Sequence, residues 1–217
     1  MNVQLSPILD FNSNTSKGML FDTRDGQSYP VVKIGNQIWL AENFRYLPSK
    51  EKGDPYDTSY VYDNDNSYLD KGYGRLYDYD TANNIAPEGW RLPSNEDFQE
   101  LRDFIIKDNN LVVLTKGHSK EEVGSYLKST TSWPTNIINN DKYGFNAKPA
   151  GYYNSVEIHR VGFGVSFWCS KRVIDSKQES GYSCYLWNLH FDYTEFSILK
   201  FGEMELGYSV RLIKETK

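Results

Sequence analysis

Metal-ligating side chains are scarce in this sequence. It holds three histidines, His118, His159 and His190, and two cysteines, Cys169 and Cys184. None has a second His or Cys at CxxC or HExxH spacing, so a zinc catalytic centre has no ligand set to start from. Two cysteines alone do not decide the redox compartment. Long apolar runs are missing too, and nothing approaches the roughly 20 residues that cross a bilayer as a helix. The opening Met1-Asn2-Val3-Gln4-Leu5-Ser6-Pro7 lacks the basic end and apolar stretch of a secretory signal. Either the chain does not use that route or its signal has been removed.

Positive charge is also in short supply. The net charge is −5, the pI is near 5.3, and the basic residues are scattered. That leaves no electrostatic footprint for a phosphate backbone, so nucleic acid is not an expected partner. No phosphate loop or dinucleotide fingerprint is present. Gly162-Phe163-Gly164-Val165-Ser166 lacks the glycine after serine that a nucleophile elbow needs, and it falls in a strand pattern. Its glycines read as close-packing positions.

What the chain has in excess is aromatic surface. Of 217 residues 15% are aromatic, through 17 Tyr, 11 Phe and 5 Trp, while the hydrophobic 39% and charged 24% are ordinary for a globular protein. Tyr and Trp carry a large apolar face with one polar tip, which suits half-buried strands and recognition surfaces alike. The length is sufficient for one large domain with a well-buried core.

Residues 1 to 24 include the polar stretch Asn12-Ser13-Asn14-Thr15-Ser16-Lys17-Gly18 and read as a tail or linker, with a single domain over 25–217. Tyr29–Ile34 and Gln37–Ala41 are β-rich runs around Gly35-Asn36, a pair suited to a two-residue hairpin turn. Residues 49–72 read as a long surface loop with Tyr60-Val61-Tyr62 as a strand-like island. Ser94 as N-cap with Asp97 three residues on, then Phe98, Leu101, Phe104 and Ile105 on one face, marks a helix. Ser119 with Glu122 before Val123, Tyr126 and Leu127 marks a second, shorter one. From Tyr143 onward the pattern is β: 143–147, 162–170, 182–190, 196–201 and 208–213. A hairpin register centred between Ser176 and Lys177 sets Cys169 opposite Cys184 and Trp168 opposite Tyr185. Cysteines so opposed could form a disulfide or pack as small apolar residues. Asp63, Asp65 and Asp70 resemble the start of a calcium loop, but Tyr68 stands where the turn wants glycine and no glutamate closes it. A solvated acidic loop without cofactor is the alternative.

Several segments together resemble the Fibrobacter succinogenes major paralogous domain. They are Tyr29 through Phe44, Tyr73 through Tyr79, Pro87 through Ser94, Tyr143 through Tyr153, Phe167-Trp168-Cys169-Ser170, and the closing Gly207-Tyr208-Ser209-Val210-Arg211-Leu212. That family is found mostly in secreted or surface-attached bacterial proteins, often lipoproteins. Its Trp-Arg-Leu-Pro and Gly-Tyr-Ser-Val-Arg-Leu segments also resemble those of the formylglycine-generating enzymes, whose fold is related to C-type lectins. The resemblance therefore implies an α+β, C-type-lectin-like fold: antiparallel sheets with two helices and long loops, and with the N- and C-terminal strands paired. By analogy with C-type lectins a calcium-bridged sugar would be conceivable, but no Glu-Pro-Asn or Gln-Pro-Asp triplet marks such a site.

In C-type-lectin-like binding proteins the C-terminal strand region commonly faces the ligand. The aromatic set Tyr152, Tyr153, Trp168, Tyr185, Trp187 and Tyr193 is accordingly the expected binding surface, with Trp168 and Trp187 equally readable as core. The expectation is a noncatalytic recognition or adhesion module, extracellular or on the cell surface, that binds a glycan or protein through the C-terminal β-loops. One alternative is a copper oxygenase-like enzyme of the formylglycine-generating type using Cys169 and Cys184, although that group's cysteine pair lies close together in sequence. The other is a purely structural domain of a larger assembly.

Overall fold

The computed structural model describes residues 8–11, 16–47, 59–62, 65–111, 122–134, 139–177, 181–201 and 206–215. In chain order, β1 (Ile8–Phe11), β2 (Lys17–Asp22), β3 (Gln27–Ile34) and β4 (Gln37–Leu40) precede β5 (Ser59–Tyr60) and α1 (Ser67–Asp70). Next come β6 (Leu76–Tyr77), α2 (Tyr79–Asn84), β7 (Trp90–Arg91), α3 (Asn95–Asp108) and α4 (Val123–Leu127). The C-terminal part supplies β8 (Tyr152–Tyr153), β9 (Ile158–His159), β10 (Gly164–Ile174), β11 (Tyr182–His190), β12 (Ser197–Phe201), β13 (Tyr208–Ser209) and β14 (Ile213–Lys214). The fold is α+β and mostly antiparallel.

Gly35 and Asn36 close the expected hairpin: Ile34 pairs with Gln37, and Gly35 takes φ +59°, the left-handed geometry that the turn requires. The sheet around it runs β1-β2-β3-β4-β14-β7. The stretch read as a tail therefore needs correction, because β2 pairs with β3 from Lys17↔Val32 to Asp22↔Gln27, and Leu20 and Asp22 are fully buried. Backbone pairing supplies hydrogen bonds whatever the side chains, and Met19, Leu20 and Phe21 directly follow the polar stretch that suggested a tail. The C-terminal β14 lies inside this sheet, with Ile213 opposite both Trp39 and Arg91.

The second sheet runs β12-β11-β10-β13-β6-β5, antiparallel except for the β10–β13 pair, and β8 with β9 forms a separate two-stranded hairpin. Side chains alternate across β10. Val165, Phe167 and Cys169 join a core with Phe98, Leu101 and Ile105 of α3 and Val123 and Leu127 of α4. Trp168 joins the opposite core with Tyr79 and Ala82 of α2. Both faces are thus buried, which is why the strand reads as a continuous apolar run.

The α3 N-terminus is a capping box: Ser94 Oγ accepts the Asp97 N–H at 3.1 Å, and Asp97 Oδ2 accepts the Ser94 N–H at 2.6 Å. The Arg91 guanidinium donates to the same carboxylate at 2.5 and 2.8 Å. α4 starts at Glu122 without a side-chain cap bond, and Ser119 lies outside the described residues. Two further helices, α1 and α2, were not expected. Each spans only one to two turns, too short for a helical period to register.

One buried cation ties the layers together. Arg211 is fully buried and donates to the carbonyls of Leu40 at 3.0 Å and Phe145 at 2.5 Å and to Asn43 Oδ1 at 2.6 Å. Its guanidinium lies 4.4 Å from the Phe145 ring centre and 5.4 Å from that of Phe167. Burial pushes its pKa down, with Asp141 opposing. A guanidinium starts so high that it stays charged at neutral pH.

Candidate functional site

The β10–β11 register differs from the expected one. Trp168 faces Leu186 and Arg172 faces Cys184, so a bulge on β10 lies between them. The bulge is satisfied from outside the pair: the Ser170 N–H donates to the Pro93 carbonyl at 2.8 Å, and the Ser170 carbonyl accepts from Tyr79 Oη at 2.7 Å. Cys169 consequently turns into the α3 core and Cys184 into the opposite one, and both are free thiols. Of the two readings left open for the pair, packing as small apolar residues is the one this register permits, because a shift of register by one residue reverses every side chain. Burial pushes both thiol pKa values up, that of Cys184 to about 12.

Of the six aromatic residues expected at a binding surface, Trp168 and Trp187 are core, at 0% and 1% exposure. Trp168 Nε1 donates to the Tyr77 carbonyl at 2.7 Å and Trp187 Nε1 to Asn95 Oδ1 at 3.0 Å, so even their polar tips are occupied. Tyr185 is half-buried against the α3 core. Tyr153 stacks on Tyr60 with ring centres 3.6 Å apart. Tyr193 is exposed and packs on His190 at 5.3 Å. Tyr152 lines a cleft.

That cleft, of about 460 Å³, lies where the face of β10 and β11 that carries Trp168 and Leu186 emerges beyond the core. Its floor is Ser166, Asn188 and His190, with Leu186 and Leu199, and its wall is the β8–β9 hairpin with Tyr152, Asn154 and Arg160. Ser166 and Asn188 are directly opposed in the sheet, and Asn188 Nδ2 donates to Ser166 Oγ at 2.9 Å and to the Val165 carbonyl at 3.2 Å. Tyr152 is stacked between Tyr208, at 5.9 Å, and His159, at 5.7 Å. Asn154 Nδ2 lies 2.6 Å from His159 Nε2, and its Oδ1 accepts the backbone N–H groups of Val156 and Glu157.

The hairpin is held down by backbone contacts. The Gly151 N–H donates to the Gly164 carbonyl at 2.8 Å, and Tyr153 and Gly207 exchange bonds of 2.8 and 3.0 Å. Gly151 takes φ +70°, and a Cβ there would sit 2.0 Å from the His159 carbonyl, so only glycine permits this approach. Arg160 itself takes φ +59° at the start of a tight turn in which its carbonyl accepts the Phe163 and Gly164 N–H groups.

Of the calcium candidates, Asp65 and Asp70 are described. Asp65 is committed to Ser67, whose backbone N–H and hydroxyl donate to it at 2.9 and 2.7 Å and hold its pKa below the usual carboxylate value. Asp70 is exposed in α1, and Asp63 lies outside the described residues. Among the described residues no three His, Cys, Asp or Glu side chains gather to hold a metal ion, and no helix is long and apolar enough to cross a membrane.

A family model, the Fibrobacter succinogenes major domain, matches residues 32–214. The chain belongs to this family. No curated protein and no solved structure matches it. In this Fibrobacter succinogenes major domain, the segments that carry the likeness are chiefly scaffold. Asn43 and Arg211 bond to each other, Arg91 and Asp97 bind the start of α3, and Trp39 Nε1 donates to Gln37 Oε1 at 3.1 Å. The cleft instead draws Asn154, Arg160, Ser166, Asn188 and His190 from outside those segments. Sequence reasoning missed all five as a group. The Ser166–Asn188 pair would have been visible only with the correct register, and nothing local marks Arg160.

Proposed function

We propose that this Fibrobacter succinogenes major domain is a noncatalytic recognition module of a secreted or surface-attached bacterial protein, and that it binds a glycan through the β8–β9/β10–β11 cleft. One observation carries the reading: a preformed concavity sets the stacked ring of Tyr152 beside a row of amide and hydroxyl groups, Asn188, Ser166 and Asn154. An aromatic side chain with a few fixed polar groups is the chemistry that orients a small polar ligand. We read the fold as C-type-lectin-like, and the place of β14 between β4 and β7 supports that reading. In such a fold the C-terminal strands that floor the cleft are the ligand-facing region.

The test is a glycan array followed by titration calorimetry with native protein, Tyr152→Ala and Asn188→Ala. Binding by the native protein that both variants weaken about tenfold or more is the expected result, one good contact being worth about 1.4 kcal/mol. A purely structural domain would bind nothing on the array, and a site elsewhere on the surface would bind with both variants unimpaired.

A further inference from the structure

The cleft also has a sign. Among the described residues no Asp or Glu lines it, although the protein as a whole carries a net charge of −5. Arg160 stands on its rim, exposed, and makes no ion pair among the described residues. Beneath the floor, Lys128 Nζ donates to the His190 and Tyr193 carbonyls at 2.6 and 2.5 Å, again without a carboxylate in contact. His190 lines the cleft with Arg160, and its carbonyl accepts from Lys128. Burial lowers its pKa, Asp192 opposes, and Arg160 and Lys128 both push it further down. Among the described residues, Glu157 lies 3.5 Å from His159 Nε2, and the Asp192 N–H donates to His190 Nδ1 in the turn; neither lines the cleft.

A guanidinium that makes no ion pair among the described residues, over a cleft whose described lining holds no carboxylate, suits an anion, because its planar fork matches a carboxylate bidentately. We infer that the ligand of this cleft is an acidic saccharide, whose carboxylate meets Arg160 while its ring packs against Tyr152 and its hydroxyls reach Asn188 and Ser166. The inference rests on the glycan reading above and narrows it to one class. Backbone geometry aids the assignment: the left-handed φ of Arg160 and its two turn hydrogen bonds fix the Cα from which the guanidinium extends, limiting the entropy lost on binding.

The test compares trigalacturonate with its methyl ester, which keeps the rings and removes the charge, and 3′-sialyllactose with lactose. Native protein, Arg160→Gln, Arg160→Lys and, as a control on the exposed part of β10, Lys171→Gln are titrated at low and high salt, with thermal melts confirming folding. The expected result is binding of an acidic sugar at least about tenfold tighter than its neutral counterpart, weakened by salt, lost about tenfold in Arg160→Gln, partly kept in Arg160→Lys and unchanged in Lys171→Gln. Equal affinity for acidic and neutral forms, lost in Tyr152→Ala but not in Arg160→Gln, would overturn the acidic assignment and leave the recognition reading standing. No binding of any of these sugars overturns the assignment. If the array is also silent, the glycan reading falls with it.

Discussion

Lys128 gives a measurable handle on how the cleft floor is held. Its side chain is fully buried, its ammonium donates to the His190 and Tyr193 carbonyls, and the Trp133 ring centre lies 5.1 Å away. Burial pushes its pKa down to about 8, with Glu195 and Asp192 opposing from a distance. In the unfolded chain a lysine titrates at about 10.4. Between those values the unfolded state binds more protons than the native one, so this group's contribution to stability rises with pH across that window. The rise amounts to about 2 to 3 kcal/mol between about pH 7 and about pH 10, at about 1.4 kcal/mol per pKa unit. Lys128→Met keeps the apolar stem and removes the titration. Urea unfolding of both proteins at several pH values should therefore show the native protein gaining on the variant as pH rises. Subtracting the two curves cancels the other lysines and the tyrosines. Parallel curves, with a difference constant to within about 0.5 kcal/mol, would refute the reasoning, since extrapolation error is of that size.

Asp141 should act in the opposite sense. Burial raises its pKa to about 6, against the Asn146 N–H and the Arg211 charge, so its contribution is present in full below about pH 4 and is lost as pH rises through about 6. In Asp141→Asn the corresponding fall of about 2 to 3 kcal/mol between pH values near 4 and 7 should vanish from urea melts. Gly151→Ala places a methyl group against the His159 carbonyl at a left-handed φ and should lower stability by about 2 kcal/mol or more while releasing the β8–β9 hairpin, read as faster amide exchange at Tyr152 and Tyr153.

Much of the scaffold was legible locally. The Gly35-Asn36 turn, the Ser94–Asp97 capping box and the amphipathic face Phe98, Leu101 and Ile105 are each written within a few residues, because turns, caps and helix faces depend on neighbours in sequence. Strands β10, β11 and β12 were legible for the same reason, whereas the expected strand 143–147 is a turn with one bridge at Ala147, and 208–213 divides into β13 and the start of β14 in different sheets. The likeness to the family, too, lies in short segments whose side chains brace the core.

The tertiary structure alone decided the rest. Strand β2 is held by pairing to β3, and a composition argument sees side chains rather than that ladder. The bulge between Trp168 and Arg172 is satisfied by Pro93 and Tyr79, far away in the chain, so no local signal marked it. With the wrong register, Trp168, Trp187 and the two cysteines could not be assigned to faces, and the Ser166–Asn188 pair stayed hidden. The cleft likewise depends on Gly151 admitting the His159 carbonyl and on Arg160 holding a left-handed turn. Sequence alone determined the Gly35-Asn36 hairpin, α3 and the long C-terminal strands; register and long-range backbone contacts determined the remaining elements and which side chains meet, because those contacts join residues that the sequence keeps apart.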